Sequence, residues 1–196
     1  MTRMKVAALG ALAALGLGLT GVSKADAAFV MTLEQVGPNV MATGSGSFDL
    51  ADLIVQGTNA VKSNEIIPDQ DFFITGLGNV DVYESVSGPS SFGSGSDTAE
   101  SSESGGGVGV TFNSFVAVPV GYVSGGSVTS SATWDNTTLA ALGVTDGTYV
   151  WTWGAGPDSD SFTLNIGPTS VPEPASLALL SAGVVGLGLI RRKRIQ

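Results

Sequence analysis

The chain has 196 residues, enough for one domain of moderate size once targeting segments are set aside. It contains no Cys and no His, which excludes disulfides, Cys-based zinc sites, thiolate nucleophiles and Ser-His-Asp triads. Its 28 Gly, among many Ser, Thr and Val residues, favour an all-β fold with many turns.

The formal net charge of −9 conceals an uneven distribution. Between Ala28 and Ser170 there are 15 acidic residues and one basic residue, Lys62, so this segment has a net charge of −14. Such a segment repels nucleic acid and anionic lipid, so no nucleic-acid partner is expected. The acidic excess is typical of a domain kept soluble outside the cell, and it could also attract divalent cations or basic partners.

The first 27 residues have the three parts of a secretory signal peptide. A basic start precedes an uncharged apolar run over residues 6–19, and Ala25-Asp26-Ala27 fits the small-x-small cleavage pattern. The apolar run is shorter than the roughly 20 residues that a bilayer-spanning helix needs. We therefore predict a signal peptide over residues 1–27. It would engage the Sec translocon and be cut by signal peptidase, leaving Ala28 as the first mature residue.

Residues 28–170 are predicted to form an acidic domain of short strands separated by Gly- and Ser-rich turns. About eight to ten strands predict an antiparallel β-sandwich or an open barrel, flanked by the N-terminal signal helix and a C-terminal transmembrane helix. Pro119 follows one strand and favours an edge position for it. Before the last two strands, the candidates are Phe29–Glu34, Ser47–Leu50, Leu53–Val55, Asp71–Thr75, Val80–Tyr83, Gly109–Phe112, Phe115–Val118, Gly121–Val123 and Ser127–Trp134.

The clearest strand pair comes last. Residues 148–153 and 161–166 each alternate with period 2, which predicts a hairpin with one buried face and a loop over residues 154–160. Trp151 and Trp153 would then lie in the core rather than on a sugar-binding surface. Upstream, residues 137–142 are predicted to form one helical turn capped by Asn136.

The segment 85–107 has low complexity. It consists mainly of Ser and Gly, with a few acidic residues and Phe92 as its one aromatic residue. We predict a long flexible surface loop, either a linker between strands or a loop that carries a ligand or glycans.

Carboxylates are the abundant reactive groups of this domain. The pairs Asp158/Asp160 and Asp69/Asp71, and the further pair Asp49/Asp52, could supply oxygen ligands to calcium. No EF-hand loop occurs, and short acidic pairs are usually solvated turn residues. Paired carboxylates can also hydrolyse glycosides, but the chain lacks evident aromatic subsites, so we expect neither an enzyme nor a cofactor.

The C-terminal end has three parts in a fixed order. Val171-Pro172-Glu173-Pro174 is followed by an uncharged apolar run over residues 175–190, and then by Arg191-Arg192-Lys193-Arg194 within the tail 191–196. Sixteen helical residues span roughly 24 Å, so bilayer thinning or arginine snorkelling would be needed for the run to act as a transmembrane helix. The positive-inside rule places the basic tail in the cytoplasm and residues 28–170 outside.

These three parts, over residues 171–196, resemble the PEP-CTERM sorting signal. The resemblance implies a Gram-negative bacterium that makes exopolysaccharide, and an exosortase that cuts near the Pro-Glu-Pro motif. It further implies a precursor held transiently in the inner membrane, then secreted to the cell surface or the extracellular matrix of a biofilm. We therefore expect a structural or adhesive protein of that matrix, with exopolysaccharide as a partner. The alternatives are a carbohydrate- or calcium-binding module and, with weaker support, a glycoside hydrolase.

Overall fold

The computed structural model describes residues 28–63, 65–112 and 114–167. These residues form two β-sheets and very little helix, so the predicted all-β class is confirmed. The predicted signal helix and C-terminal transmembrane helix lie outside the described residues. Within the described ranges, no helix has the length and apolar character needed to cross a membrane.

The first sheet has six strands and contains both ends of the described chain. Its strands lie in the order β12-β13-β1-β2-β11-β8. The neighbouring strands pair antiparallel, except that β1 and β13 run parallel. The strands are β1 (Ala28–Val36), β2 (Asn39–Gly46), β8 (Ser102–Gly105), β11 (Val128–Trp134), β12 (Gly147–Trp153) and β13 (Asp160–Ile166).

The second sheet has seven strands, in the order β3-β6-β10-β9-β5-β4-β7, and its strand pairs are antiparallel. Most of these strands are short, and β3 pairs with β6 through two irregularities in register. The strands are β3 (Ile54–Ala60), β4 (Glu65–Ile67), β5 (Phe72–Thr75), β6 (Val80–Glu84), β7 (Thr98–Ala99), β9 (Val108–Thr111) and β10 (Phe115–Pro119).

The main core lies between the two sheets. Alternate residues of β1 and β13 point inward, as period 2 requires, and they join buried residues of β5, β9 and β10 in one cluster. The rings of Phe73 in β5 and Trp134 in β11 stack across the gap, with centroids 6.2 Å apart. The architecture is therefore a β-sandwich with one mixed and one antiparallel sheet.

Several predicted strand positions differ from the structure. Residues 47–50 and 121–123 are not strands, whereas β2 and β4 were not predicted. The backbone of residues 48–50 is instead bonded to side chains, through Tyr122 Oη, Asp160 Oδ2 and Ser124 Oγ. These side-chain acceptors replace the carbonyl acceptors of a strand ladder.

The segment 85–107, predicted as a loop, contains β7 and β8. Strand β8 pairs with β11, and Phe92 is buried in the main core. Hydrogen bonds to neighbouring strands therefore order a stretch whose own composition favours no regular structure.

The edge position predicted from Pro119 is wrong. Strand β10 lies between β6 and β9, and Pro119 is its last residue, opposite Val80. A proline at a strand end interrupts no later bond of the ladder. The predicted helical turn is present as α1 (Leu139–Leu142), but its cap is Thr138, whose side chain accepts from Ala141 N at 3.1 Å, rather than Asn136.

Candidate functional site

Asp71 is held at the start of β5 in an unusual backbone conformation. A 3₁₀ turn over Pro68–Gln70 ends at Asp71, which has φ 58° and ψ 37°, in the left-handed region. Ser114, which precedes β10, has φ 59°. Its backbone N and its Oγ donate to Asp71 Oδ2 at 2.9 and 3.2 Å. Two non-glycine residues with positive φ therefore face each other, and such strain clusters at functional sites.

The second carboxylate oxygen of Asp71 has no hydrogen-bond partner among the described residues. Asp71 is only 1% exposed, and its Oδ1 is fully buried. The buried indole Nε1 of Trp151 also lacks a partner there. Burial raises the pKa of Asp71 to about 7, although the hydrogen bonds from Ser114 and the nearby indole of Trp151 act against that rise. The carboxyl group is therefore partly protonated near neutral pH.

These groups adjoin a surface cavity of about 290 Å³ that we call the Asp71 pocket. It is lined by Gln70, Asp71, Ser90, Phe112 and Ser114. The ring of Phe112 is 40% exposed and packs on Phe72, with centroids 4.8 Å apart. An exposed ring beside polar side chains and a buried carboxyl group can bind a small polar ligand that has one apolar face.

The sequence predicted only part of this pocket. Asp71 was a candidate oxygen ligand, but Ser90, Phe112 and Ser114 come from segments far from it in sequence. No local pattern in the sequence links them to Asp71.

The other predicted carboxylates separate into buried and exposed members. Asp160 and Asp49 are 6% and 5% exposed, and Asp160 Oδ2 accepts from Asp49 N at 2.6 Å. Asp52 and Asp69 are exposed, and Asp158 is half-buried. Among the described residues, no group of three or more Asp and Glu side chains is arranged to hold a metal ion. The calcium site therefore stays a prediction without a converging set of ligands.

The three tryptophans lie in the core, as the hairpin pattern predicted for two of them. Trp134, Trp151 and Trp153 are all buried. The indole Nε1 of Trp153 donates to the backbone carbonyl of Asp49 at 2.7 Å. No tryptophan in this part of the chain offers an exposed platform for a sugar ring.

Lys62 forms a buried charged group with Glu100 and with Glu103 of β8, which we call the Lys62 cluster. Its Nζ is 2.5 Å from Glu103 Oε2 and 3.8 Å from Glu100 Oε2. Burial raises the pKa of Glu100 to about 8, against the opposing effect of the Lys62 charge, and the Glu103 carboxylate adds to the rise. The cluster joins the segment after β3 to the start of β8.

Comparison with known families identifies the C-terminal end. The family model described as the PEP-CTERM protein-sorting motif matches residues 170–194. No curated protein and no solved structure matches the chain significantly. The signal cleavage residues Ala25 and Ala27 and the sorting residues 171–174 and 191–194 lie outside the described residues. This match confirms the resemblance predicted from the sequence. The chain carries a PEP-CTERM protein-sorting motif, as expected of a PEP-CTERM domain-containing exosortase substrate.

Proposed function

We propose that residues 28–170 form a structural or adhesive domain at the cell surface, or in the exopolysaccharide matrix, of a Gram-negative bacterium. The sorting motif at residues 170–194 carries the proposal, because it joins this domain to an exosortase-dependent route of export. In this route the Sec translocon exports the chain and signal peptidase cuts after Ala27. The inner membrane holds the precursor until the exosortase releases it.

The described surface supports a structural role rather than catalysis. Residues that commonly stack on sugars in binding clefts are here used for packing, since all three tryptophans are buried. The buried carboxylates Asp49 and Asp160 accept hydrogen bonds from backbone N–H groups. These bonds use both carboxylates to hold neighbouring backbone segments in place, as expected of a structural role.

The experiment compares the parent strain with a strain lacking this gene. We expect the protein in the extracellular fraction and the biofilm matrix of the parent, and a matrix that is mechanically weaker or less adherent in the deletion strain. A complemented strain carrying the chain without residues 171–196 is the matched control. A deletion strain whose matrix mass, adhesion and stiffness equal those of the parent would contradict the structural role.

The Asp71 pocket favours a second candidate function, a carbohydrate-binding module. A sugar ring can lie against the exposed face of Phe112 while its hydroxyls bond to the polar side chains of Gln70 and Ser90 at the pocket surface. A calcium-binding module has less support, because no set of three carboxylates converges in the described part of the chain.

Titration of the exported protein with monosaccharides of the strain's own exopolysaccharide tests the second candidate. We expect shifts in the NMR signals of residues around the pocket, which Phe112→Ala should abolish. The control variant Val150→Ala removes an equally exposed apolar side chain on the other sheet. Equal shifts in both variants would rule out the pocket as the binding site.

A further inference from the structure

The amino end of β1 lies between β13 and β2, and the buried carboxylate of Asp160 connects these two neighbours. In the six-stranded sheet, β13 is on one side of β1 and β2 is on the other. Ala28, the first residue of β1, pairs with Ser161 of β13, and Phe29 pairs with Gly46 of β2. Asp160 directly precedes Ser161, so in register it stands one position before Ala28.

The side chain of Asp160 connects β13 to the segment that follows β2. Its Oδ2 accepts from the backbone N of Asp49, which follows the end of β2, at 2.6 Å. Its Oδ1 accepts from Ser161 N at 2.6 Å, and Asp49 Oδ1 accepts from Ser124 Oγ at 3.1 Å. The bond between Asp160 and Asp49 therefore connects the strands on both sides of β1, at the end where β1 begins.

Ala28 also lines a cavity with one of these carboxylates. The cavity has a volume of about 330 Å³, and its walls include Ala28, Asp160, Trp153 and Gly154. The backbone of Ala28 is tightly seated, because a Cβ atom on Gly46 would come within 2.1 Å of the Ala28 carbonyl oxygen. The rest of the wall is polar, formed by Thr152, Ser159 and Ser161.

The mature amino terminus is placed to supply a positive charge at this point. Hydrolysis of the peptide bond between Ala27 and Ala28 leaves a carboxylate on Ala27 and an ammonium group on Ala28. Lys62, the one basic residue of residues 28–170, lies against Glu103 and Glu100. An ammonium group at Ala28 would therefore add a second basic group to the mature domain, at the end of β1 where Asp160 lies.

We propose that signal-peptide removal completes the fold, because the new α-ammonium group of Ala28 docks beside Asp160 and Asp49 and forms a buried ion pair. The proposal rests on the cleavage after Ala27 given under Proposed function. The parallel pairing of β13 with β1 is what brings Asp160 to the amino end of β1. It also makes the amino terminus a fixed structural group rather than a free end.

The test measures how fast the amino terminus of the exported, purified protein is acylated near neutral pH, with peptide mass spectrometry as the readout. Only an exposed, unprotonated amine reacts, and a nearby negative charge favours the protonated form. We expect the Ala28 amine of the native protein to react about tenfold more slowly than in a variant with one serine inserted between Ala27 and Ala28. That insertion keeps the cleavage pattern and moves the amine out of the cavity.

Two carboxylate variants complete the experiment. Asp160→Asn should accelerate acylation of Ala28, whereas Asp146→Asn, a change at an exposed residue at the opposite end of β12 from Trp153, should not. If Asp160→Asn fails to accumulate, the serine insertion still provides the comparison. An amine at Ala28 that reacts as fast as the inserted serine overturns the proposal and leaves the export route intact. An amino terminus at another residue refutes the predicted cleavage, and the proposal with it.

Discussion

At the scale of single residues, Asp71 shows how burial can outweigh hydrogen bonding. Two donors from Ser114 stabilise its ionised form, yet desolvation prevails and the pKa rises from 3.8 to about 7. The folded state therefore keeps a proton that the unfolded chain releases. The associated stability is fully present below about pH 4 and is lost as pH rises through about 7.

The variant Asp71→Asn should remove this dependence on pH. We expect the free energy of unfolding of the parent protein to fall between pH 4 and pH 7 by on the order of 2–4 kcal/mol more than that of the variant. Urea titrations across this pH range measure the difference. The variant Asp69→Asn, at an exposed carboxylate two residues earlier, should keep the slope of the parent. Parallel curves for the parent and Asp71→Asn would show that Asp71 is ionised in the fold.

Trp153 and Trp151 allow one buried hydrogen bond to be measured. Both indoles are buried, but Trp153 Nε1 donates to the carbonyl of Asp49 at 2.7 Å, whereas Trp151 Nε1 has only its weaker interaction with Asp71. Replacing either residue by Phe removes a similar volume, and Trp153→Phe also leaves that carbonyl without its donor. We expect Trp153→Phe to cost about 1 kcal/mol more than Trp151→Phe in chemical denaturation. Equal costs would mean that the bond adds no net stability.

The tryptophans and Asp71 differ in how far the sequence predicts their surroundings. The burial of Trp151 and Trp153 follows from alternation within one hairpin, so a local pattern was sufficient. The contact between Asp71 and Ser114 joins positions 43 residues apart, in a place set by two different turns. Only the tertiary pairing of β5, β9 and β10 brings them together, and no periodicity encodes that pairing.

At the scale of elements, strands with alternating apolar residues could be predicted from the sequence. Strands that depend on hydrogen bonds from a neighbouring strand could not. Strands β12 and β13 have large apolar residues at every second position. Strand β8 consists of Ser, Glu and Gly, and it is a strand because β11 supplies its hydrogen bonds. The parallel pairing of β1 with β13 was also missed, because hairpin signals in a sequence indicate only antiparallel neighbours.

The Lys62 cluster connects the segment after β3 to β8 through buried charges, so its loss should be costly. Lys62→Met leaves Glu103 and Glu100 buried without their cation, and we expect a loss of about 3 kcal/mol in the free energy of unfolding. The double variant Lys62→Met with Glu103→Gln should recover part of that loss, since it removes the unpaired charge. A single variant as stable as the parent would mean that solvent already screens the cluster.

At the scale of the whole molecule, the charge distribution and the sorting motif both indicate export of the acidic segment. The basic residues outside the domain lie near the two ends of the chain, and the acidic residues lie almost entirely between them. Under the positive-inside rule this arrangement favours export of the middle segment. The sandwich is a rigid acidic passenger in this scheme, and the motif at residues 170–194 gives its route.

The intact mass of the protein recovered from the extracellular fraction tests this route most directly. The account predicts a chain that begins at Ala28 and has lost Arg191, Arg192, Lys193 and Arg194 through cleavage near Pro172-Glu173-Pro174. Deleting the host exosortase should shift the protein to the membrane fraction with its basic end retained. Recovery of an extracellular chain that still carries Arg191–Arg194 would contradict sorting by cleavage.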